Sequence, residues 1–140
     1  MTREINLKKI NDAVHFEGTG VVPDVQVQID GTPEIGGENL GARPRELVLM
    51  ALCSCASLDF VTILTKQRQK ITSLDVNVKG HRREETPRIF TSIHIHFALG
   101  GQIDSEKAAK AAELAVKKYC SVHDKLAAGG IDITYDFKIV

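Results

Sequence analysis

The sequence predicts an α+β domain, in which strands and helices come in separate runs rather than in strict alternation. Three observations carry that expectation. Apolar–polar alternation of period two marks 13–17 and 25–30 and returns at 73–79, 89–99 and 131–139. An apolar run, Leu47 to Leu58, and an amphipathic run, Ala108 to Tyr119, have helical length. The resulting order is strands, helix, two strands, two helices, strand. A chain of 140 residues suits a single domain over 1–140 with a core of its own.

Each element has a local reason. Ala13 to Glu17 alternates briefly, and Val25-Gln26-Val27-Gln28-Ile29-Asp30 alternates strictly, with Val25, Val27 and Ile29 on one face. Asp30-Gly31 is a candidate hairpin turn, followed by the loop Thr32 to Arg43, long enough to suggest a functional role. Pro44 suits the first turn of a helix, where its missing N–H costs nothing, and the helix is expected to reach about Gln69. Its first half is apolar all round, which predicts burial on every side. So small a domain hardly covers such a helix alone, and a homodimer is expected. Ser73 to Lys79 sets Leu74, Val76 and Val78 on one face; Ile89 to Leu99 does the same with Ile93, Ile95 and Phe97. The charged segment His81 to Arg88 joins them as a solvated turn. Asp104 is placed to N-cap a helix over Ser105 to Tyr119, with Glu106 in the first turn and Lys117 and Lys118 in the last. A second helix, Ser121 to Ala128, ends at Gly129-Gly130, and Ile131 to Ile139 forms the last strand.

Composition narrows the function. Lys plus Arg equals Asp plus Glu at 18 each, so no general electrostatic attraction to nucleic acid is expected. The longest uncharged apolar stretch, Leu47 to Leu58, is too short to span a bilayer, so no membrane partner is expected. Met1 to Asn11 lacks the apolar stretch of a secretory signal. Three cysteines without such a signal suggest a reducing, cytoplasmic setting in which thiols react or pack.

Cys53 and Cys55 lie two apart, about 200° around a helix, so they cannot readily bridge or share a metal. Cys55 has Asp59 one turn on, a carboxylate that opposes negative charge on the sulfur. On the helix alone, Cys55 reads first as packing. His94 and His96 share a strand face in ligand-like spacing, but no third ligand is evident and a polar face explains them. His123, one turn after Cys120, could polarise that thiol or stand on the surface. No metal or organic cofactor is called for.

The stretch Ala42-Arg43-Pro44-Arg45-Glu46-Leu47, then Ala51-Leu52-Cys53-Ser54-Cys55, resembles the Pro-x-Glu-Leu…Ala-x-Gly-x-Cys helix of the OsmC/Ohr family, the osmotically inducible and organic-hydroperoxide-resistance proteins. Cys55 stands eleven residues after Pro44, where that family has its reactive cysteine; Cys53 stands at the family's glycine. Cys120-Ser121-Val122 matches the second family cysteine, and Arg82 to Phe90 resembles an OsmC-like branch. The resemblance covers essentially the whole chain. It implies an intertwined homodimer with antiparallel sheets around long buried central helices. It also implies a thiol peroxidase: Cys55 takes oxygen from a hydroperoxide, Cys120 closes a disulfide, and a thiol or dithiol reductant reopens it. The family's activating pair is a glutamate directly after the proline and an arginine from the N-terminal strands. Here Arg45 follows Pro44, Glu46 comes one place later, and no arginine lies between Glu4 and Arg43. Arg45 and Glu46 are the candidate activating groups. Because either sits about 14–15 Å up the helix from Cys55, it would act from the partner subunit or through a broken helix start. The alternative is a non-catalytic redox-sensing or small-molecule-binding protein of the same fold.

Overall fold

A computed structural model describes residues 1–140. The chain falls into two compact units, Met1–Val48 and Leu49–Val140.

The N-terminal unit is a three-stranded antiparallel sheet in the order β1 (Asn6–Lys9), β2 (Phe16–Thr19), β3 (Gln26–Ile29). Asn11 shapes the first connection, its Oδ1 accepting from the N–H groups of Ala13 at 3.0 Å and His15 at 3.1 Å, an Asx turn. The Asp30-Gly31 hairpin turn does not form. Asp30 is instead a buried carboxylate, and it accepts from the backbone N–H of Gly31 (2.8 Å), Glu38 (3.0 Å) and Leu40 (3.1 Å). One side chain thus ties together the loop Thr32 to Arg43, which contains a short 3₁₀ turn at Pro33–Ile35. Gly37 is required there, because a Cβ would lie 1.8 Å from the Gly31 carbonyl oxygen. The expected apolar face of β3 is uncovered within the chain: Val25 is 63% exposed and Val27 48%. Asp30 is the only buried residue of this unit.

The Asp30 hydrogen bonds, that from Glu38 foremost, hold its carboxyl below the ordinary 3.8, against the opposing effect of burial. A carboxylate with a depressed pKa stabilises the fold above the ordinary carboxylate range and loses that contribution as pH falls through its folded value. Asp30→Asn should therefore lower the thermal midpoint at pH 7 by several degrees and shrink the difference between pH 7 and pH 3, which parallel melts at the two pH values will measure.

Helix α1 (Pro44–Lys66) begins in the first unit and runs through the second. The C-terminal unit adds β4 (Lys70–Arg82), β5 (Phe90–Gln102), α2 (Ser105–Glu113), α3 (Ser121–Ala128) and β6 (Asp132–Ile139). β4 and β5 pair antiparallel along 13-residue strands. β6 pairs with β5 in parallel, so this sheet is mixed rather than antiparallel throughout. The helical crossover between them carries the chain back to the starting end, as a parallel pair demands. Asp104 caps α2 as expected, accepting from Lys107 N at 3.0 Å. The helix expected to reach Tyr119 as one α-helix changes at Leu114 into π-helical turns through Tyr119. Their wider winding lets Cys120 enter the core together with Val116 and Ala115, four and five residues before it.

That core joins the α1 stripe Leu52, Ala56, Phe60, Leu64 to Ile93, Ile95, Phe97 and Leu99 of β5 and the small residues of α2. Phe60 and Phe97 meet edge to face, ring centroids 5.1 Å apart at 82°. α1 is not buried on every side within one chain: Met50 is 51% exposed and Leu58 71%. By length and composition the 23-residue helix could cross a membrane, with an 18-residue stretch of mean hydropathy 2.2, although its uncharged stretch is short. Its every-fourth-residue stripe is committed to the core instead.

Candidate functional site

Cys120 occupies the junction between the π-helical turns and α3. Its backbone is extended (φ −77°, ψ 101°), the geometry of a helix N-cap, and its Sγ accepts from the peptide N–H of His123 at 3.3 Å. Sulfur thus takes the role usually given to a serine or aspartate oxygen. The same Sγ lies 3.9 Å from the carbonyl oxygen of Leu52 on α1, within reach of a weak S–H donation. Cys55, half-buried one turn further along α1, packs against the same core and lies close enough to Cys120 to perturb its thiol. Two cysteines 65 positions apart in sequence are therefore neighbours, and all three thiols of the chain are free. Burial pushes the Cys120 thiol up from an ordinary 9.0 to about 11; the His123 N–H pulls it down, and the neighbouring Cys55 thiol pushes it up further. Cys120 is protonated at neutral pH. Cys53 points elsewhere, its Sγ 3.5 Å from the Met50 carbonyl oxygen, and burial raises its pKa as well.

The other candidates separate. Glu46 accepts from the N–H of Arg43 at 3.0 Å, reaching back from the third helical residue to the residue before the helix as in a capping box. Arg45 lines a cavity of about 450 Å³ in the N-terminal unit with Val14, Phe16, Ile29 and Ile35. The ring of His123 turns to Asp124, Nδ1 to Oδ1 3.2 Å, so its peptide N–H rather than its imidazole meets the thiol. His94 and His96 close on β6: His94 Nδ1 bonds Thr134 Oγ1 at 2.7 Å, its Nε2 lies 3.5 Å from Asp136, and His96 Nδ1 bonds Asp136 directly. The hydrogen bond from His96, with the nearby imidazoles, lowers the Asp136 carboxyl. No group of three or more His, Cys, Asp or Glu side chains is arranged to hold a metal ion.

Sequence reasoning missed Asp30 as an anchor and Cys120 as a helix cap. For Asp30 the signal was the acidic residue before a glycine-rich loop; for Cys120 it was the ordinary N-cap spacing to His123, concealed because cysteine is seldom read as a cap.

A half-buried thiol on a core helix, set against a fully buried thiol at the head of another, defines a thiol-pair α+β protein. Within that class the chain belongs to the OsmC-like protein family, whose model matches residues 36–136. It is similar to the protein YhfA of Escherichia coli K12, with 40% identity over 98 residues, 69% of this chain and 72% of the relative. Its fold matches a hypothetical protein from Aquifex aeolicus at TM-score 0.82 and 27% identity, covering 100% of this chain and 98% of that one. It also matches an organic hydroperoxide resistance protein from Legionella pneumophila at TM-score 0.70 and 12% identity, over 99% of this chain and 97% of that one, a likeness of fold.

Proposed function

We propose that the protein is a homodimeric thiol peroxidase that reduces organic hydroperoxides. The observation that carries this reading is that Cys55, packed half-buried against the core, lies beside the buried Cys120. Cys55 sulfur attacks the terminal peroxide oxygen; the O–O bond breaks, an alcohol leaves with the proton, and Cys55 becomes a sulfenic acid. The Cys120 thiol then condenses with it, expelling water and forming the Cys55–Cys120 disulfide, and a thiol reductant restores both thiols in a reducing compartment. Arg45 and Glu46 remain the candidate activating groups, acting on the partner's Cys55 thiol.

The dimer reading rests on uncovered apolar surface. Met50, Leu58 and Val61 leave one stripe of α1 bare, and the N-terminal sheet has no buried apolar residue of its own. A second copy supplies the cover both require, and the whole chain 1–140 then acts as one domain. Leu58→Glu with Val61→Glu should shift the species measured by analytical ultracentrifugation from twice 15.3 kDa towards 15.3 kDa; an unchanged dimer would place the interface elsewhere.

To test the chemistry, reduced protein is mixed with an organic hydroperoxide while free thiols and intact mass are followed. Loss of two thiols and a disulfide mapped to Cys55 and Cys120 supports the peroxidase. Cys55 remaining reduced in excess peroxide refutes it. The raised Cys120 pKa favours a second reading, a redox sensor whose disulfide closes slowly; oxidation without turnover by any thiol would select it.

A further inference from the structure

Cys120 holds the start of α3 with its backbone and its side chain together. Its carbonyl oxygen accepts from the N–H of Asp124 at 3.1 Å, and its sulfur accepts from the N–H of His123 at 3.3 Å. The same sulfur is in weak donating reach of the Leu52 carbonyl oxygen, 3.9 Å away. α3 has eight residues, about two turns, a length at which a helix depends on its cap and on packing. Val122 and Leu126 supply the packing, half-buried against the core, and the helix lies against β6. The side-chain cap is one sulfur, and that sulfur is also half of the thiol pair.

We propose that closing the Cys55–Cys120 disulfide uncaps α3, so that the oxidation state of the thiol pair is expressed as the order of that helix's first turn. The inference rests on the redox couple proposed above. In the closing step the sulfenic hydroxyl of Cys55 leaves with the thiol hydrogen of Cys120 as water, and the S–S bond forms. The donation to Leu52 ends with that hydrogen. The cap ends by movement. Non-bonded atoms in contact stand about 3.5–4.0 Å apart, whereas a disulfide holds its sulfurs at about 2.05 Å, so they close by roughly 1.5 Å or more. Cys55 has little freedom to supply this, because Leu52 and Ala56 on either side of it in α1 are completely buried. Cys120 has more, since its backbone leaves the helical region between the π-helical turns and α3. Its sulfur swings towards α1 and away from the His123 N–H. Reduction returns the hydrogen and the sulfur to their places. Because the cap exists only in the dithiol form, it favours that form and makes the disulfide easier to reduce.

The test closes the disulfide with diamide, which takes up the two thiol hydrogens, so that it does not depend on reaction with peroxide. Hydrogen–deuterium exchange with mass spectrometry then compares reduced and oxidised protein. A cross-link by itself constrains the unfolded chain and slows exchange. Uncapping has the opposite sign: the peptide covering 121–128 should exchange about fivefold faster after oxidation, the size of a lost N-cap, while 93–99 in the core gains no speed. In Cys120→Ser the hydroxyl keeps the cap and cannot be oxidised, so α3 should stay protected with and without diamide. In Cys120→Ala the cap is gone, and α3 should exchange fast without any oxidant. Unchanged or slower exchange of α3 in wild type whose Cys55–Cys120 disulfide has been mapped, or equal protection in the serine and alanine variants, would overturn the uncapping and leave the redox couple standing. Failure of diamide to join Cys55 to Cys120 would overturn the couple and this inference together.

Discussion

Cys55→Ser will abolish peroxide-driven disulfide formation, with a fall in hydroperoxide consumption of at least about a hundredfold. A hydroxyl at position 55 preserves the size of the side chain but lacks the nucleophilicity of a thiol toward peroxide oxygen. Cys120 cannot take over, because it is fully buried and its thiol sits near 11. Cys53→Ser provides the contrast: its Sγ lies against the Met50 carbonyl on the same helix, so turnover should change less than about threefold. Steady-state consumption of an organic hydroperoxide, with mass spectrometry of the trapped intermediate, reads both. Equal activity in wild type and Cys55→Ser would remove the peroxidase reading.

The largest effect on stability will come from Phe60→Ala. Phe60 is completely buried and meets Phe97 edge to face. Truncation removes the transfer free energy of the ring and leaves a cavity, about 3–5 kcal/mol together, a large share of the roughly 5–15 kcal/mol that holds a typical domain. Urea denaturation should show a much lower midpoint at nearly unchanged slope. Phe60→Leu, which refills most of the space, should recover more than half of the loss. Because Phe60 and Leu52 belong to one stripe, and the Leu52 carbonyl lies against the Cys120 sulfur, the alanine variant should also show slower disulfide closure.

Much of this arrangement was legible before any coordinates. The alternation of Ile93, Ile95 and Phe97 is the core face of β5, the Asp104 side chain caps the start of α2, and α3 ends at Gly129. Pro44 opens α1, and Cys55 lies near Cys120 against the same core. What escaped the sequence was set by partners far away along the chain. Asp30-Gly31 has the composition of a turn, but three N–H groups, two of them eight and ten residues on, capture its carboxylate. Ala108 to Tyr119 has α-helical periodicity, and only the need to bring Cys120 into the core reveals why it widens. Glu46 resembles an activating group displaced by one residue; its carboxylate is occupied with the N–H of Arg43.

The parallel pairing of β6 with β5 governs the timing of assembly. It joins residues such as His94 and Thr134, 40 positions apart, with two helices between the paired strands. On a ribosome, this edge of the sheet cannot close until β6 itself has been made and has emerged. Contacts of such long range also form late in refolding, since a large loop must be closed before they contribute. Until β6 arrives, the face of β5 lacks one neighbour and α3 lacks the strand it packs against. The two thiols therefore pass through a nascent stage in which Cys120 has yet to gain its final burial, and an oxidant met at that stage reacts with an open chain rather than with the finished site.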